Sequence, residues 1–299
     1  MSFSSDVKKE LLRVSDSARH CKIALLAAFV NYCGFYDGES FIFVSENRGI
    51  IEKTAELTSE LVDMTADIEE YENRYCVKID SRDKAEKLAN ITLGQRDYDS
   101  PAINPQAVSS LCCKRAYIRG CFICAGSVSD PQKQYHLEIS NGDYDHAAAL
   151  KSLITSFGID AKIILRKNHY IVYIKEGEQI VDMLNIMSAY KALLDFENLR
   201  VVKDLRNNLN RIVNCETANL NKVVSAGVRQ TEAIEYIKRT VGLGYLSPSL
   251  EEMAKLRLEY PDISLKELGE KLRPPVGKSG VNHRLKKICA IADSLKGDN

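Results

Sequence analysis

Apolar residues recur along the chain with spacings that predict the same order of elements twice. Each block begins with a helix and continues with a strand, a second helix, two strands and a closing helix. In the first block these elements fall at residues 18–33, 38–45, 48–62, 66–70, 74–80 and 81–91. In the second block a helix that starts at Pro105 or Ser109 ends at Gly126, and the other elements fall at residues 134–140, 143–157, 161–165, 169–175 and 177–188. One further helix, at residues 3–14, precedes the first block.

The two blocks also share residues at matching positions. The glycines that end the two apolar helices, Gly34 and Gly126, lie 92 positions apart. Farther along, the Asn-Arg-Tyr of residues 73–75 aligns with the Asn-His-Tyr of residues 168–170 at an offset of 95. An internal repeat of this length indicates a duplicated unit with a pseudo-two-fold axis.

The two apolar helices are rich in small residues. The segments 22–34 (KIALLAAFVNYCG) and 114–126 (KRAYIRGCFICAG) carry Gly, Ala and Cys, which allow another backbone to approach closely. The two halves are therefore predicted to pack against each other through these helices.

The character of the chain changes after Asn198. Residues 199–237 are helical in pattern but rich in Asn and Arg. A helix at 248–259 follows, then a short helix opened by a predicted Ser264–Glu267 capping box, and a basic helix at 278–293. This order is typical of a helix-turn-helix module, whose last helix enters the major groove of DNA.

The charge of the chain is uneven although its sum is zero. Residues 1–198 carry 23 basic and 29 acidic side chains, whereas residues 199–299 carry 18 basic and 12 acidic ones, a net charge of +6. The segment 271–287 contains no acidic residue. This asymmetry favours a polyanionic partner for the last third of the chain, with an unevenly charged solvated surface as the alternative.

Polar and cationic side chains of this last third are the predicted DNA contacts. Hydroxyl, amide and imidazole groups can bond base edges, and Lys and Arg neutralise phosphates. The predicted contacts are Ser264, Lys266, Lys271, Arg273, Lys278, Ser279, Asn282, His283, Arg284, Lys286 and Lys287. A second, Asn/Arg-rich element runs from Arg200 to Lys222 and includes Arg206, Asn210 and Arg211. It is interpreted as a DNA-contacting or inter-domain element, and a solvated spacer is its alternative.

Composition gives little sign of other chemistry. No apolar run reaches the length of a membrane span, and residues 1–14 lack a signal-peptide core, so a cytoplasmic protein without a membrane partner is expected. The nine cysteines are expected to be free thiols. Cys121-x-x-Cys124 with Cys112-Cys113 would place all ligands on or beside one helix, so core packing is expected rather than a metal site. No cofactor motif is present.

Several stretches carry a family resemblance over essentially the whole chain. The duplicated order of elements resembles the LAGLIDADG homing endonuclease fold. The stretches KRAYIRGCFICAGSVSDP, RIVNCETANLNK, SLKELGEKL and KSGVNHRLKKI resemble the WhiA family of bacterial transcription regulators. The resemblance implies an α+β fold: a duplicated LAGLIDADG-like domain with pseudo-two-fold symmetry, followed by an all-α helix-turn-helix domain.

The resemblance to the endonucleases also locates the positions of their metal-binding acids. These acids stand just before the final glycines of the paired helices, where this chain has Cys33 and Ala125. Neither side chain can supply a carboxylate to a hard cation. The nuclease activity is therefore expected to be lost and the protein not to be an enzyme, and Asp37, Glu39 and Asp130 are interpreted as loop residues.

The resemblance further implies domains, a role and partners. The expected domains are 1–198 with halves at about 18–93 and 106–190, a helical connection at 199–227, and the helix-turn-helix domain at 228–299. The implied role is a DNA-binding regulator of sporulation, or of cell division and chromosome segregation, associated with the nucleoid. In some lineages the partner is a WhiB-type regulator. The alternatives are a nuclease that uses the shifted carboxylates and a non-enzymatic scaffold.

Overall fold

The computed structural model describes residues 2–65, 67–94 and 103–297, in two compact units, Met1–Asp204 and Leu205–Asn299. Residue 66, where the predicted strand 66–70 begins, lies outside the described residues. So does most of the predicted linker between residues 94 and 106.

The first half of the N-terminal unit is built on an antiparallel sheet of four strands. The strand order is β1-β2-β4-β3, with Phe43 paired to Gly34 on one side and to Val77 on the other. Its elements are α1 (Phe3–Leu12), α2 (Arg19–Cys33), β1 (Gly34–Tyr36), β2 (Phe41–Ser45), α3 (Arg48–Val62), β3 (Ile68–Tyr71), β4 (Arg74–Ile79) and α4 (Arg82–Thr92).

The second half repeats this arrangement. Its antiparallel sheet has the order β5-β6-β8-β7, and Ile139 is paired to both Gly126 and Val172. Its elements are α5 (Leu111–Ala125), β5 (Gly126–Val128), β6 (Leu137–Asn141), α6 (Tyr144–Thr155), β7 (Lys162–Arg166), β8 (His169–Ile174) and α7 (Gly177–Met187). The predicted α+β class and the duplication are confirmed.

The predicted order was wrong in one respect, because each half contains a strand that was not predicted. β1 and β5 are only three residues long and begin at the glycine that also ends the preceding helix. Three residues are too few to show an alternating pattern. The true order in each half is helix, two strands, helix, two strands, helix.

The paired helices α2 and α5 are the centre of the N-terminal unit. From Ala24 to Val30 every side chain of α2 is buried, and so is the stretch from Ala116 to Ile123 of α5. A Cβ atom at Gly120 would lie 2.6 Å from the Cβ of Ala28, so glycine is needed for this close approach. The prediction that the two halves pack through these helices is confirmed.

A buried polar network joins the two halves beside this contact. Asn31 of α2 donates to the Tyr117 hydroxyl at 2.6 Å, and that hydroxyl lies 2.8 Å from Nε2 of His146 in α6. Burial lowers the pKa of His146 to about 4. The imidazole is therefore neutral at pH 7 and forms part of the core rather than a charged site.

Helices alone form the described part of the C-terminal unit. α8 spans Tyr190–Thr240, of which residues 205–240 belong to this unit, so the helix predicted at 199–237 is confirmed and is longer at both ends. A 3-10 turn at Leu243–Tyr245 follows, and then α9 (Pro248–Glu259), α10 (Leu265–Glu270) and α11 (Lys278–Gly297). Within the described residues, each helix is too short or too polar to cross a membrane.

Candidate nucleic-acid interface

The three last helices share one apolar core. Met253 of α9, Leu268 of α10 and Val281, Leu285 and Ile288 of α11 are all nearly inaccessible to solvent. The spacing of the α11 residues places them on one stripe of the helix, so α11 has one buried face and one free face. The free face of α11 is open to solvent.

The turn between α10 and α11 is held by a close backbone approach at Gly269. Val276 N–H donates to the Gly269 carbonyl at 3.0 Å, and a Cβ at Gly269 would lie 2.0 Å from the Val276 carbonyl oxygen. Only glycine fits here. The connection from residue 271 to 277 is therefore folded back on α10, which fixes the point at which α11 begins.

A buried arginine anchors the entry to α10. Arg257 is 1% exposed, and its Nη1 donates to the Ile263 carbonyl at 2.8 Å. Its Nε donates to Oε1 of Gln230 in α8 at 2.9 Å. Burial lowers the pKa of this guanidinium, yet an arginine stays charged at neutral pH. Arg257 thus links α8, α9 and the loop before α10.

The predicted capping box at the start of α10 is confirmed. The Ser264 hydroxyl accepts a hydrogen bond from Glu267 N–H, and the Glu267 carboxylate accepts one from Ser264 N–H at 2.8 Å. This hydrogen bond from the Ser264 backbone lowers the pKa of Glu267. The Ser264 hydroxyl, predicted as a DNA contact, is therefore already engaged as an acceptor that caps the start of α10.

The free face of α11 carries most of the predicted contacts. Four of these residues are exposed: Ser279, His283, Lys286 and Lys287. With 3.6 residues per helical turn, their positions fall on the side of α11 opposite the buried stripe that contains Val281. Asn282 and Arg284 lie on the two flanks and are half-buried. Donors able to reach bases and phosphates therefore share one helix surface.

The turn and the starts of α10 and α11 add further cations. Lys266, Arg273 and Lys278 are exposed. Lys271 is exposed as well, and its Nζ lies 4.0 Å from the centre of the Tyr260 ring, a cation–π contact that orients it. The cationic residues on either side of the turn thus extend the polar surface of α11.

Two grooves bring predicted residues together with residues of α8. Ser264, Lys266 and Lys278 line a cavity of about 310 Å³ together with Lys222. Asn282 and Lys286 line a second groove of about 590 Å³ with Arg229.

Arg229 was not among the predicted contacts, and Lys222 was predicted only as the last cation of the second element on α8. They are seven residues apart and so share one face of α8. The spacing of seven indicates from the sequence that the two side chains share a helix face. It does not indicate that this face lies beside α11.

The other named residues of the second predicted element lie elsewhere on α8. Arg206, Asn210 and Arg211 are exposed, but they do not line either groove. The structure therefore does not bring these three residues together with the α10–α11 contacts.

The positions that correspond to the metal-binding acids of the endonucleases lie in the N-terminal unit. Cys33 and Ala125 are the last residues of α2 and α5, and the Cys33 thiol donates to the Phe29 carbonyl at 3.1 Å. Asp37 accepts hydrogen bonds from Glu39 N–H and Ser40 N–H at 2.9 and 2.7 Å. Those bonds, that from Ser40 first, lower the pKa of Asp37.

Asp130 has a similar role in the second half. Its carboxylate accepts a hydrogen bond from Gln132 N–H at 2.9 Å in its own turn. Both carboxylates are therefore occupied by the backbone of their own loops, as loop residues commonly are.

Comparison with known proteins matches both units to domains of the same family. The family models described as the WhiA LAGLIDADG-like domain and the WhiA C-terminal HTH domain match residues 114–206 and 209–292. The probable cell division protein WhiA of Lachnoclostridium phytofermentans is 45% identical, over 99% of this chain and 100% of its own. That of Clostridium perfringens (strain SM101) is 46% identical over the full length of both chains.

A solved structure agrees with these relatives. The crystal structure of full-length WhiA from Thermatoga maritima is 26% identical, has a TM-score of 0.60 and covers 98% of this chain and 99% of its own. The predicted fold class is thereby confirmed in both parts, the LAGLIDADG-like domain and the helix-turn-helix. The chain belongs to the WhiA family.

Proposed function

We propose that this protein is a sequence-specific DNA-binding regulator of cell division that has no nuclease activity. The observation that carries the proposal is the free face of α11, where Ser279, His283, Lys286 and Lys287 are exposed together. In helix-turn-helix proteins the second helix of the motif lies in the major groove and reads base edges from such a face.

Charge supports the same assignment. The segment 271–287 has six Lys or Arg residues and no acidic residue, and Lys222 and Arg229 of α8 add two more cations beside it. Ser279, Asn282 and His283 supply the hydrogen-bonding groups that read bases, and the cations contact phosphates. Arg206, Asn210 and Arg211 would contact DNA only outside this surface.

The proposal extends to the cellular role, the protein partner and the domain limits. The relatives' name, probable cell division protein, supports a role in cell division. A role in chromosome segregation on the nucleoid rests on the family resemblance. Sporulation in some lineages and a WhiB-type protein partner are parts of the same proposal that rest on the family resemblance. The proposed domain limits are 1–198, 199–227 and 228–299.

Absence of nuclease activity follows from chemistry at the paired helices. A hard divalent cation such as Mg²⁺ is held by oxygen ligands, carboxylates above all, and Cys33 and Ala125 supply no carboxylate. The protein is expected to leave supercoiled plasmid intact with Mg²⁺ or Mn²⁺. Cleavage that disappears in Asp37→Ala or Asp130→Ala would overturn this part of the proposal.

DNA binding is tested on operators found by genome-wide immunoprecipitation. His283→Ala and Lys286→Ala are expected to weaken operator binding in fluorescence anisotropy by about tenfold each. Lys286→Ala should also reduce the slope of log affinity against log salt by about one. Neither change affects the buried core.

Lys255→Ala is the matched control. Lys255 is an exposed lysine of the same unit, on α9, paired with Glu251 at 2.8 Å. Its removal should leave operator affinity unchanged. If Lys255→Ala and Lys286→Ala had equal effects, the assignment of α11 as the recognition helix would be wrong.

A further inference from the structure

Four side chains with metal-binding atoms meet at the start of the paired helices. His20 and Cys21 lie in the first turn of α2, and Cys112 and Cys113 in the first turn of α5. Their ligand atoms all lie within 4.8 Å of one another. Within the described residues this is the one such group of His, Cys, Asp and Glu side chains.

The two pairs occupy equivalent positions in the repeat. His20 and Cys112 are 92 residues apart, as are Cys21 and Cys113, the same offset as that of the glycines ending the two helices. The pseudo-two-fold axis therefore brings two short segments from different halves to one point. The cluster stands at the opposite ends of α2 and α5 from Cys33 and Ala125.

The helix ends around the cluster favour negative charge. Neither N-cap residue, Ala18 for α2 or Ser110 for α5, gives a side-chain hydrogen bond to its helix. The sulfurs of Cys21, Cys112 and Cys113 thus lie in first turns whose unpaired backbone N–H groups carry partial positive charge. The Ser110 hydroxyl instead donates to the Cys113 sulfur at 3.0 Å, as outer groups do around metal ligands.

The distances fit a tetrahedral ion. Nδ1 of His20 lies 3.1 Å from the Cys113 sulfur, 3.4 Å from that of Cys21 and 3.9 Å from that of Cys112. For a tetrahedral zinc ion, the ligand bond lengths place nitrogen and sulfur about 3.6 Å apart. The observed values lie on both sides of this separation, so small side-chain rotations would complete the site.

We propose that His20, Cys21, Cys112 and Cys113 form a structural binding site for one Zn²⁺ ion. Three sulfurs and one imidazole nitrogen select a borderline or soft metal over Mg²⁺ or Ca²⁺. On binding, each thiol becomes a thiolate and releases its proton to solvent, while the imidazole stays neutral. The ion would link the first turns of α2 and α5 and so connect the two halves.

The proposed site differs from the group of four cysteines of α5 that the sequence suggested. Cys121 is fully buried in α5, and Cys124 lies near the end of the same helix, beside Cys33. Cys112 and Cys113 therefore join residues of another helix instead. The objection that one helix cannot supply a structural zinc site does not apply to them, because the ligands come from two separate segments.

The test uses the full-length protein, reduced and freed of metal by a chelator. Cobalt(II) is the probe, because tetrahedral thiolate coordination gives intense visible bands and a sulfur-to-metal charge-transfer band. One equivalent of Co²⁺ is expected to saturate these bands, and one equivalent of Zn²⁺ to abolish them. Zinc should also raise the thermal unfolding midpoint of the N-terminal unit.

Variants at the exposed ligands keep the experiment independent of folding. His20→Ala and Cys112→Ser change exposed residues, so the variants should remain folded, and both should lose the tetrahedral bands and the rise in midpoint. Cys215→Ser is the matched control, an exposed cysteine of α8 outside the cluster. Spectra in His20→Ala and Cys112→Ser that match the wild type would overturn the proposal, as would an octahedral cobalt spectrum in the wild type.

Discussion

The α2–α5 pair and the α10–α11 pair pack in the same way but differ in what they leave exposed. In both, a glycine allows a close approach that a methyl group would prevent, Gly120 against Ala28 and Gly269 against Val276. The first pair is enclosed by apolar side chains, whereas α11 leaves one polar face open. Tight packing alone is therefore no indication of a site, and what separates the two pairs is the chemistry left exposed.

The most disruptive single change is expected at the second pair. In Gly269→Ala the new methyl group would overlap the Val276 carbonyl oxygen, so the turn must move. The C-terminal unit should lose about 3 kcal/mol of stability, and operator affinity should fall because α11 is displaced. Denaturant unfolding and fluorescence anisotropy measure the two effects.

Gly277→Ala is the matched change in the same turn, since a Cβ there would meet nothing within 4 Å. It should leave the stability nearly unchanged. Equal losses in the two variants would contradict the importance of the Gly269 contact.

A smaller effect is expected at the first pair. Gly120→Ala places a methyl group 2.6 Å from the Ala28 Cβ, which forces α2 and α5 apart and should cost about 2 kcal/mol of stability. At temperatures well below the unfolding midpoint, the affinity for the operator should not change, because the substitution leaves the free face of α11 unaltered. Gly142→Ala, at an open position, is the control for unfolding. A large loss of operator affinity in Gly120→Ala would contradict the division of roles between the pairs.

The smallest effect is a pH dependence within the buried network of the first pair. His146 has a folded pKa of about 4, below the ordinary value of 6.5, so the unfolded chain binds its proton more readily. The stability from neutral His146 is complete well above pH 6.5 and is lost as the pH falls toward 4, and about 1.5 kcal/mol of it is already lost at about pH 5.5. Denaturant unfolding at several pH values should show this loss.

His146→Gln provides the comparison for this pH dependence. The variant should be less dependent on pH between 6.5 and 4, while His169→Gln, at an exposed histidine, should behave as the wild type. Identical pH profiles in the wild type and His146→Gln would contradict the assignment.

Local signals explain what could be predicted from the sequence. The helix at 48–62 has the predicted bounds because its apolar period is clear and Asn47 accepts a hydrogen bond from Gly49 N–H at its start. The Ser264–Glu267 capping box is likewise a signal within four residues. Such features depend on neighbours along the chain, so they can be predicted without the fold.

Contacts between distant segments explain what could not be predicted. Cys112 and Cys113 were considered with the cysteines of their own helix, whereas they lie beside His20 and Cys21, which enter the site only through the pairing of α2 and α5. Lys222 similarly reaches Lys266 only because α8 packs beside α10. The common offset of 92 residues was the available signal for the first of these.

The pairing of α2 with α5 has a consequence for synthesis of the chain on the ribosome. Helix α2 ends at Cys33, and its partner is complete only at Ala125, so α2 must wait for about ninety residues of further synthesis. At typical elongation rates this takes roughly 5–20 s. During that interval the face of α2 that α5 will cover stays open, and the nascent first half is then most exposed to chaperones and to aggregation.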